Sequence, residues 1–411
     1  MTRSGSYNYN VTSSDIMTEA RELISSLELG GSITTNESTS DLRTLNMMLK
    51  AWQPKIGLWL NKECWLFLQD DTIKYLIGPS GDHCAVDAIK TELAADASSA
   101  ATAITVDSIT GFGNTFDRDG IYTAATPSGA ETLTLSGALV TSSVAYLTSE
   151  RKIVIYTVAD ETGITFTVTG TDGDGAAVTE VITGGDTTSV YSTYAYKTVT
   201  SIVTSGAGAG NVEIGQVGDP IGIELDDGTV QWSYIGAAVS TTAITLIDAL
   251  TDDAAADNHV YTYTAETQRP IEIVEARLVN ASGYERPLRI AGRNEYMALS
   301  DKTTEASPNL IYYDKQLDSG VIYVWPEPDD VQEYIKFTAR LPIQDIDATT
   351  DNFEVGQEWF ECLAWNLAWR IAPKYGKPID PIFRQTAQLM LEEAMVSDAE
   401  NTSVFIQIGR R

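Results

Sequence analysis

The chain has 411 residues, 57 Asp and Glu against 27 Lys and Arg, and a formal net charge of −30. That length predicts roughly two to four domains, and that charge excludes sequence-independent attraction to DNA phosphates, which needs clustered Lys and Arg. Three cysteines, Cys64, Cys84 and Cys362, are too few and too scattered for a disulfide framework; with no signal-peptide h-region at the N-terminus and no run of about 18 apolar residues, they predict a protein made in a reducing cytosol that neither takes the usual export route nor spans a membrane.

In chain order, the first predicted element is an amphipathic helix. Ser14 or Asp15 can cap it, Ile16, Ala20, Leu23, Ile24 and Leu27 share one face, and Gly30-Gly31 stops it. A second helix begins near Ser38 to Ser40, carries Leu42, Leu45, Leu49 and Trp52 on one stripe and meets Pro54. Cys64 to Leu68 and Thr72 to Ile77 then read as a hairpin, closed by the Gly78 to Asp82 loop.

From about 94 to 264 the chain reads as strands and turns whose only basic residues are Arg118, Arg151, Lys152 and Lys197. Thr102 to Gly111 resembles Thr242 to Thr251, both alternating strands running into a turn, and Asp219 to Ile235 is a hairpin with Asp227-Gly228 at its tip. These pieces predict a small inserted β domain, 82–115 with 216–268. Residues 116–215 sit inside it as a second insertion, whose several strands and Gly/Asp turn clusters fit an immunoglobulin-like sandwich.

The helical pattern resumes in 269–411. Residues 271 to 279 fit either a strand or a short helix, and strands follow at Leu310 to Tyr313, Val321 to Trp325 and Glu333 to Arg340. A third long helix groups Phe360, Leu363, Leu367 and Ile371, and Asp380-Pro381 opens a fourth with Phe383, Ala387, Met390, Leu391 and Ala394 on one side. The predicted fold class is therefore α+β: a helical-bundle scaffold with a small sheet, built from 1–81 and 269–411 and interrupted by the inserted all-β domains. Insertion at a surface loop with neighbouring ends leaves such a scaffold intact.

Chemistry-bearing constellations are sparse. His83 lies in a Gly/Asp loop and His259 before a strand, without metal-ligand spacing, and a lone loop histidine reads as a surface residue. Asp172-Gly-Asp-Gly175 lacks the remaining ligands of a calcium loop and reads as a turn, and Gly78-Pro-Ser-Gly81 lacks the Lys of a phosphate loop. With 57 acidic residues, carboxylate pairs arise by chance. No catalytic, cofactor or metal site is predicted. In the third helix Trp359 and Phe360 belong with the core; Trp365 and Trp369, one turn apart, fit either the core or a subunit interface.

Asp15 to Ile77, together with Arg286-Pro-Leu288, Gly292-Arg-Asn-Glu-Tyr296, Leu310 to Asp314, Gly320 to Pro326 and above all Trp365-Asn-Leu-Ala-Trp-Arg-Ile-Ala-Pro-Lys-Tyr-Gly376, resembles the head-to-tail adaptor family of short-tailed bacteriophages. Packaged-DNA-stabilisation and tail tubular adaptor proteins are among its members. The resemblance covers roughly 13–80 and 269–411 and leaves the inserted domains out. It implies a virion protein of the neck, assembled in the host cytoplasm. Such a protein forms a dodecameric ring between the portal protein and the tail nozzle, retains packaged DNA that passes through without specific binding, and offers a platform to tail fibres or spikes. An acidic surface is compatible with that passage, since repulsion keeps a polyanion mobile. The resemblance also gives the strand-like Ser403 to Arg411 a role as portal anchor, through Phe405, Ile406, Ile408, Arg410 and Arg411. Two other readings stand beside it: a surface adhesin or carbohydrate-binding module, suggested by the β insert, and a polysaccharide-degrading tail enzyme, which needs a clustered carboxylate pair.

Overall fold

The computed structural model describes residues 9–54, 60–317, 319–378 and 381–398. Five helices fall within them: α1 (Ser13–Leu23), α2 (Thr35–Trp52), α3 (Arg293–Met297), α4 (Phe360–Ile371) and α5 (Pro381–Ser397). The first two start at capping boxes. Thr12 caps α1, its hydroxyl accepting from the Asp15 N–H while the Asp15 carboxylate accepts from the Thr12 N–H at 2.8 Å. Asp15 is thus the reciprocal partner of the cap. Thr34 and Glu37 repeat the device at α2, which begins three residues before Ser38. Asp380, expected to cap α5, lies outside the described residues.

Chain up to Lys62 and from Arg340 onward makes one compact unit, and Glu63–Ala339 makes another. In the helical unit, Ile16, Met17 and Ala20 of α1, Leu45, Met48, Leu49 and Trp52 of α2, and Leu363, Leu367 and Ile371 of α4 close on the fully buried Trp359. Each large side chain so buried contributes about 1.5–3 kcal/mol. The buried amide of Asn366 ties α4 to α5 by donating to the Ala387 carbonyl at 2.8 Å.

The prediction of a helical-bundle scaffold with a small sheet does not hold. The protein is mostly β, 37% strand against 19% helix. The short strands assigned to the scaffold join one eight-stranded sheet, ordered Lys74–Ile77, Gly320–Trp325, Leu310–Asp314, Glu285–Ile290, Glu272–Val279, Tyr334–Arg340, Asn61–Phe67, Cys84–Ala85. Residues 271 to 279, open between helix and strand, are strand. Sheet size is set by pairing between segments some 250 residues apart in sequence, which local periodicity does not carry.

The outer insert holds a four-stranded sheet, ordered Val230–Tyr234, Pro220–Glu224, His259–Thr262, Ile89–Glu92, and a two-stranded one, Ala103–Thr105 with Ala243–Thr245. The two repeat copies are these last partners. They pair antiparallel with Ile104 opposite Ile244, and their flanks match: the Val106 N–H donates to Thr242 O as Leu246 donates to Thr102 O, and Leu93 bridges Val106 as Ile235 bridges Leu246. Local two-fold pseudosymmetry follows. Near the ends of the insert, the Thr267 N–H donates to Cys84 O at 2.8 Å.

Residues 116–215 do not form an immunoglobulin-like sandwich. Their strands hydrogen-bond into a single seven-stranded sheet, ordered Ala177–Thr183, Thr165–Thr171, Ser189–Thr204, Val144–Thr157, Val212–Gln216, Asp117–Ala125, with Val140–Thr141 added beside Val144–Thr157. Ser189–Thr204 is 16 residues long and shifts register after Tyr191, Tyr196 and Val199. Such bulges bend a strand, so one sheet curls around Ile121, Ile153, Phe166, Ile202 and Ile214 where a sandwich would need two; one sheet of the protein is nearly barrel-shaped. At the base of this domain the buried Gln216 side chain donates to Thr115 O at 2.6 Å, joining its two ends.

Candidate functional site

Helices α1 and α4 run alongside each other and leave a groove in the helical unit. Its wider part, about 380 Å³, lies between Val11, Ile16, Leu23, Phe360, Ala364 and Trp365, with Asp15, Glu19 and Glu361 on its rim. Leu23 also borders a narrower part of about 210 Å³ bounded by Ile24, Trp369, Lys377 and Phe383. Trp365 and Trp369, expected in the core or at a subunit interface, are both half-buried and border this groove. The Trp365 ring packs on Phe383 of α5 at 4.7 Å between centroids. Trp369 lies beneath two guanidinium groups, Arg370 at 5.3 Å and Arg384 at 5.4 Å. Trp359 and Phe360 are buried in the core.

The rest of the 365–376 motif has structural work. Leu367, Ala368 and Ile371 are buried, and Gly376, at φ +64°, ends the turn Ala372–Tyr375 in a left-handed conformation that favours glycine. Tyr375 donates to Asp41 Oδ1 at 2.9 Å and receives Arg21 Nη2, while Arg21 Nε donates to Asp41 Oδ2 at 2.7 Å. Arg21 and Asp41 are fully buried and mutually neutralised. Glu37, accepting from the Thr34 hydroxyl and N–H and from Arg21, is held down at about 2.

The charges around the groove escape a reading by aromatic spacing alone. Glu19, Glu361, Arg370, Lys377 and Arg384 flank the aromatic stripe, and among the described residues none of the five has an ion-pair partner. Burial lowers the Arg370 pKa, and no carboxylate raises it. Phe405, Ile406, Ile408, Arg410 and Arg411 lie outside the described residues.

In the β unit both histidines are engaged by neighbouring side chains. His83, a surface loop residue by sequence, is half-buried: its ring stacks on Trp232 at 3.7 Å, its Nδ1 meets the Tyr263 hydroxyl at 2.5 Å, and desolvation pushes it down to about 3. The Tyr263 hydroxyl in turn donates to Glu266 at 2.8 Å. His259 lies between Glu224 and Glu92, yet burial first and then Lys90 lower its pKa. Asp172 takes the N–H groups of Asp174 and Ala176 as a plain turn. Among the described residues no group of three or more His, Cys, Asp or Glu is arranged to hold a metal ion, and no helix is long and apolar enough to cross a membrane.

Charge is divided unequally between the units. Of 27 basic and 57 acidic residues, 13 and 17 fall in the stretches 1–62 and 340–411, which leaves 14 basic against 40 acidic residues in 63–339. The helical unit is nearly neutral, and the β unit holds 26 of the 30 net negative charges. No family model matches the chain, and no curated protein matches it.

Proposed function

We propose that the chain is a structural virion protein of the head-to-tail adaptor family, forming a dodecameric ring between the portal protein and the tail nozzle of a short-tailed phage. The observation that carries this reading is the union of α1–α2 with α4–α5. These stretches lie some 300 residues apart in sequence and contain the strongest parts of the resemblance, and they pack on one core around Trp359. The division of charge supports it in a second way. The nearly neutral helical unit is the part suited to packing against other subunits, because close contact between two strongly acidic surfaces is repulsive. The acidic β unit is the part that DNA can pass without adhering.

The test is to mix the purified chain with rings of the portal protein encoded beside it, in moderate salt, and to weigh the complex by native mass spectrometry. One adaptor per portal subunit is expected. Absence of a complex overturns the reading.

A further inference from the structure

We infer that the groove along α1 and α4 receives residues 400–411 of a second copy of this chain. The groove is polar in sense. Asp15 and Glu361 stand where the two helices begin, with Glu19 one turn further along α1, and Arg370, Lys377 and Arg384 stand where α4 gives way to α5, with an apolar floor between them centred on Leu23 and Trp365. Residues 400–411 carry the same three parts in sequence: Glu400, then the apolar Val404, Phe405, Ile406 and Ile408, then Arg410 and Arg411. In extended form Arg410 lies about 16 Å from Phe405, comparable with the rise of about 12 Å along α1 from Asp15 to Leu23.

Direction identifies the copy. Helix α5 runs antiparallel to α4: Phe383 near its start packs on Trp365, Ala387 takes the Asn366 amide, and its later turns reach Gln357–Trp359. Each chain therefore leaves α5 beside the acidic end of its own groove. Running along that groove from there, the segment would set Glu400 beside Glu361 and carry Arg410 and Arg411 toward Arg370 and Arg384, like charge against like. A second copy's segment can lie in the opposite sense. Its two arginines then meet Asp15, Glu19 and Glu361, its Phe405 enters the apolar middle, and Glu400 approaches the cationic end. Most of the affinity comes from the buried aromatic ring and the sense of binding from the charges. This replaces the portal-anchor role that the resemblance gives to Phe405, Arg410 and Arg411: the contact is between copies of this chain and needs no portal.

The experiment uses the full chain without portal. A photoreactive phenylalanine analogue at position 405 is activated in an equal mixture of isotopically light and heavy chains, and the cross-links are mapped by mass spectrometry. Links from position 405 to peptides containing Leu23 or Trp365, joining light to heavy chains, are expected. The charge-reversed segment, Arg410→Glu with Arg411→Glu, and the charge-reversed groove, Glu19→Arg with Glu361→Arg, each lower the yield roughly tenfold. Mixing the two variants restores it, since the reversed segment then finds the reversed groove. Glu19 and Glu361 are exposed, and unchanged circular dichroism melting of each variant excludes misfolding as the cause. Links within single chains only, links mapping outside the groove, or a yield indifferent to charge reversal each overturn the inference.

Discussion

Ile104 and Ile244 face each other across the short ladder that joins the two copies of the internal repeat, and both are almost wholly buried in the same core. The match of their flanking hydrogen bonds makes the two positions near-equivalents about a local two-fold axis. Ile104→Ala and Ile244→Ala should therefore cost similar amounts, about 2–5 kcal/mol each. The two truncations open one shared cavity, so the double variant should depart from the sum by about 0.5 kcal/mol or more. Urea denaturation of the three variants measures both quantities. Strict additivity would show that the side chains do not share a packing site.

Arg151 is fully buried, and its Nη2 donates to Asp219 at 2.7 Å and to the Thr264 carbonyl. This one side chain ties the nested domain to Asp219, just after it in the chain, and to Thr264, near the end of the outer insert. Arg151→Met leaves Asp219 buried without its cation and should cost about 3–5 kcal/mol. Adding Asp219→Asn removes the stranded charge while Thr115 can still donate to position 219, so the double variant should be more stable than Arg151→Met alone. Urea midpoints rank them, and a double variant that unfolds earlier than the single would refute the stranded-charge account.

Two carboxyls give opposite pH signatures. Glu37 is depressed from 4.5 to about 2, first by the Thr34 hydroxyl, so it stabilises the fold above pH 4.5 and that contribution is lost as pH falls toward 2. Glu150, which accepts from the Ser80 hydroxyl at 2.8 Å, is raised from 4.5 to about 7 by burial. Its contribution is full below pH 4.5 and is lost as pH rises through 7. Melting temperature against pH should flatten on the acid side in Glu37→Gln and between pH 4.5 and 7 in Glu150→Gln. Unchanged profiles would remove these two residues as the titrating groups.

The two insertions should differ in how freely they can be removed. Thr115 and Gln216 are already in contact, so replacing 116–215 with a short Gly/Ser linker should leave a soluble, folded chain. Replacing 82–268 removes Trp232, Tyr261 and Tyr263, which cover Phe67, and uncovers part of a core that also contains Val279 and Tyr334. That deletion should aggregate or melt markedly earlier. Equal melting temperatures for the two deletions would contradict the shared aromatic core.

The elements that were legible from sequence are those whose partners lie within a few residues. The Ile16 and Ala20 stripe, the Leu45, Leu49 and Trp52 stripe and the burial of Trp359 follow from helical spacing. The repeat was legible too, since two like strands are natural partners. What escaped was long-range. The eight-stranded sheet draws on segments from both sides of the insertion, and nothing in Glu272–Val279 says that it pairs with Glu285–Ile290 on one side and Tyr334–Arg340 on the other. His83 misled for the same reason: its loop sequence is polar, and the Trp232 that covers it is about 150 residues away. At the groove, Trp365 and Trp369 could be picked out by spacing, but the opposed charges at its two ends are gathered from α1, α4, α5 and the turn between the last two.

Because the helical core closes only when α4 meets α1 and α2, its completion depends on the ribosome reaching residues 360–371. At about 5–20 residues per second, the roughly 300 residues between Trp52 and Phe360 take about 15–60 s to synthesise. During that interval Ile16, Ala20, Leu45, Leu49 and Trp52 have no Trp359 to close on, while the β unit, Glu63–Ala339, is emerging complete. The nascent chain thus carries an apolar half-core for most of its translation. Messages cut short before codon 360 would yield a product with a finished β unit and a permanently open helical face, the form most prone to clump and most in need of a chaperone.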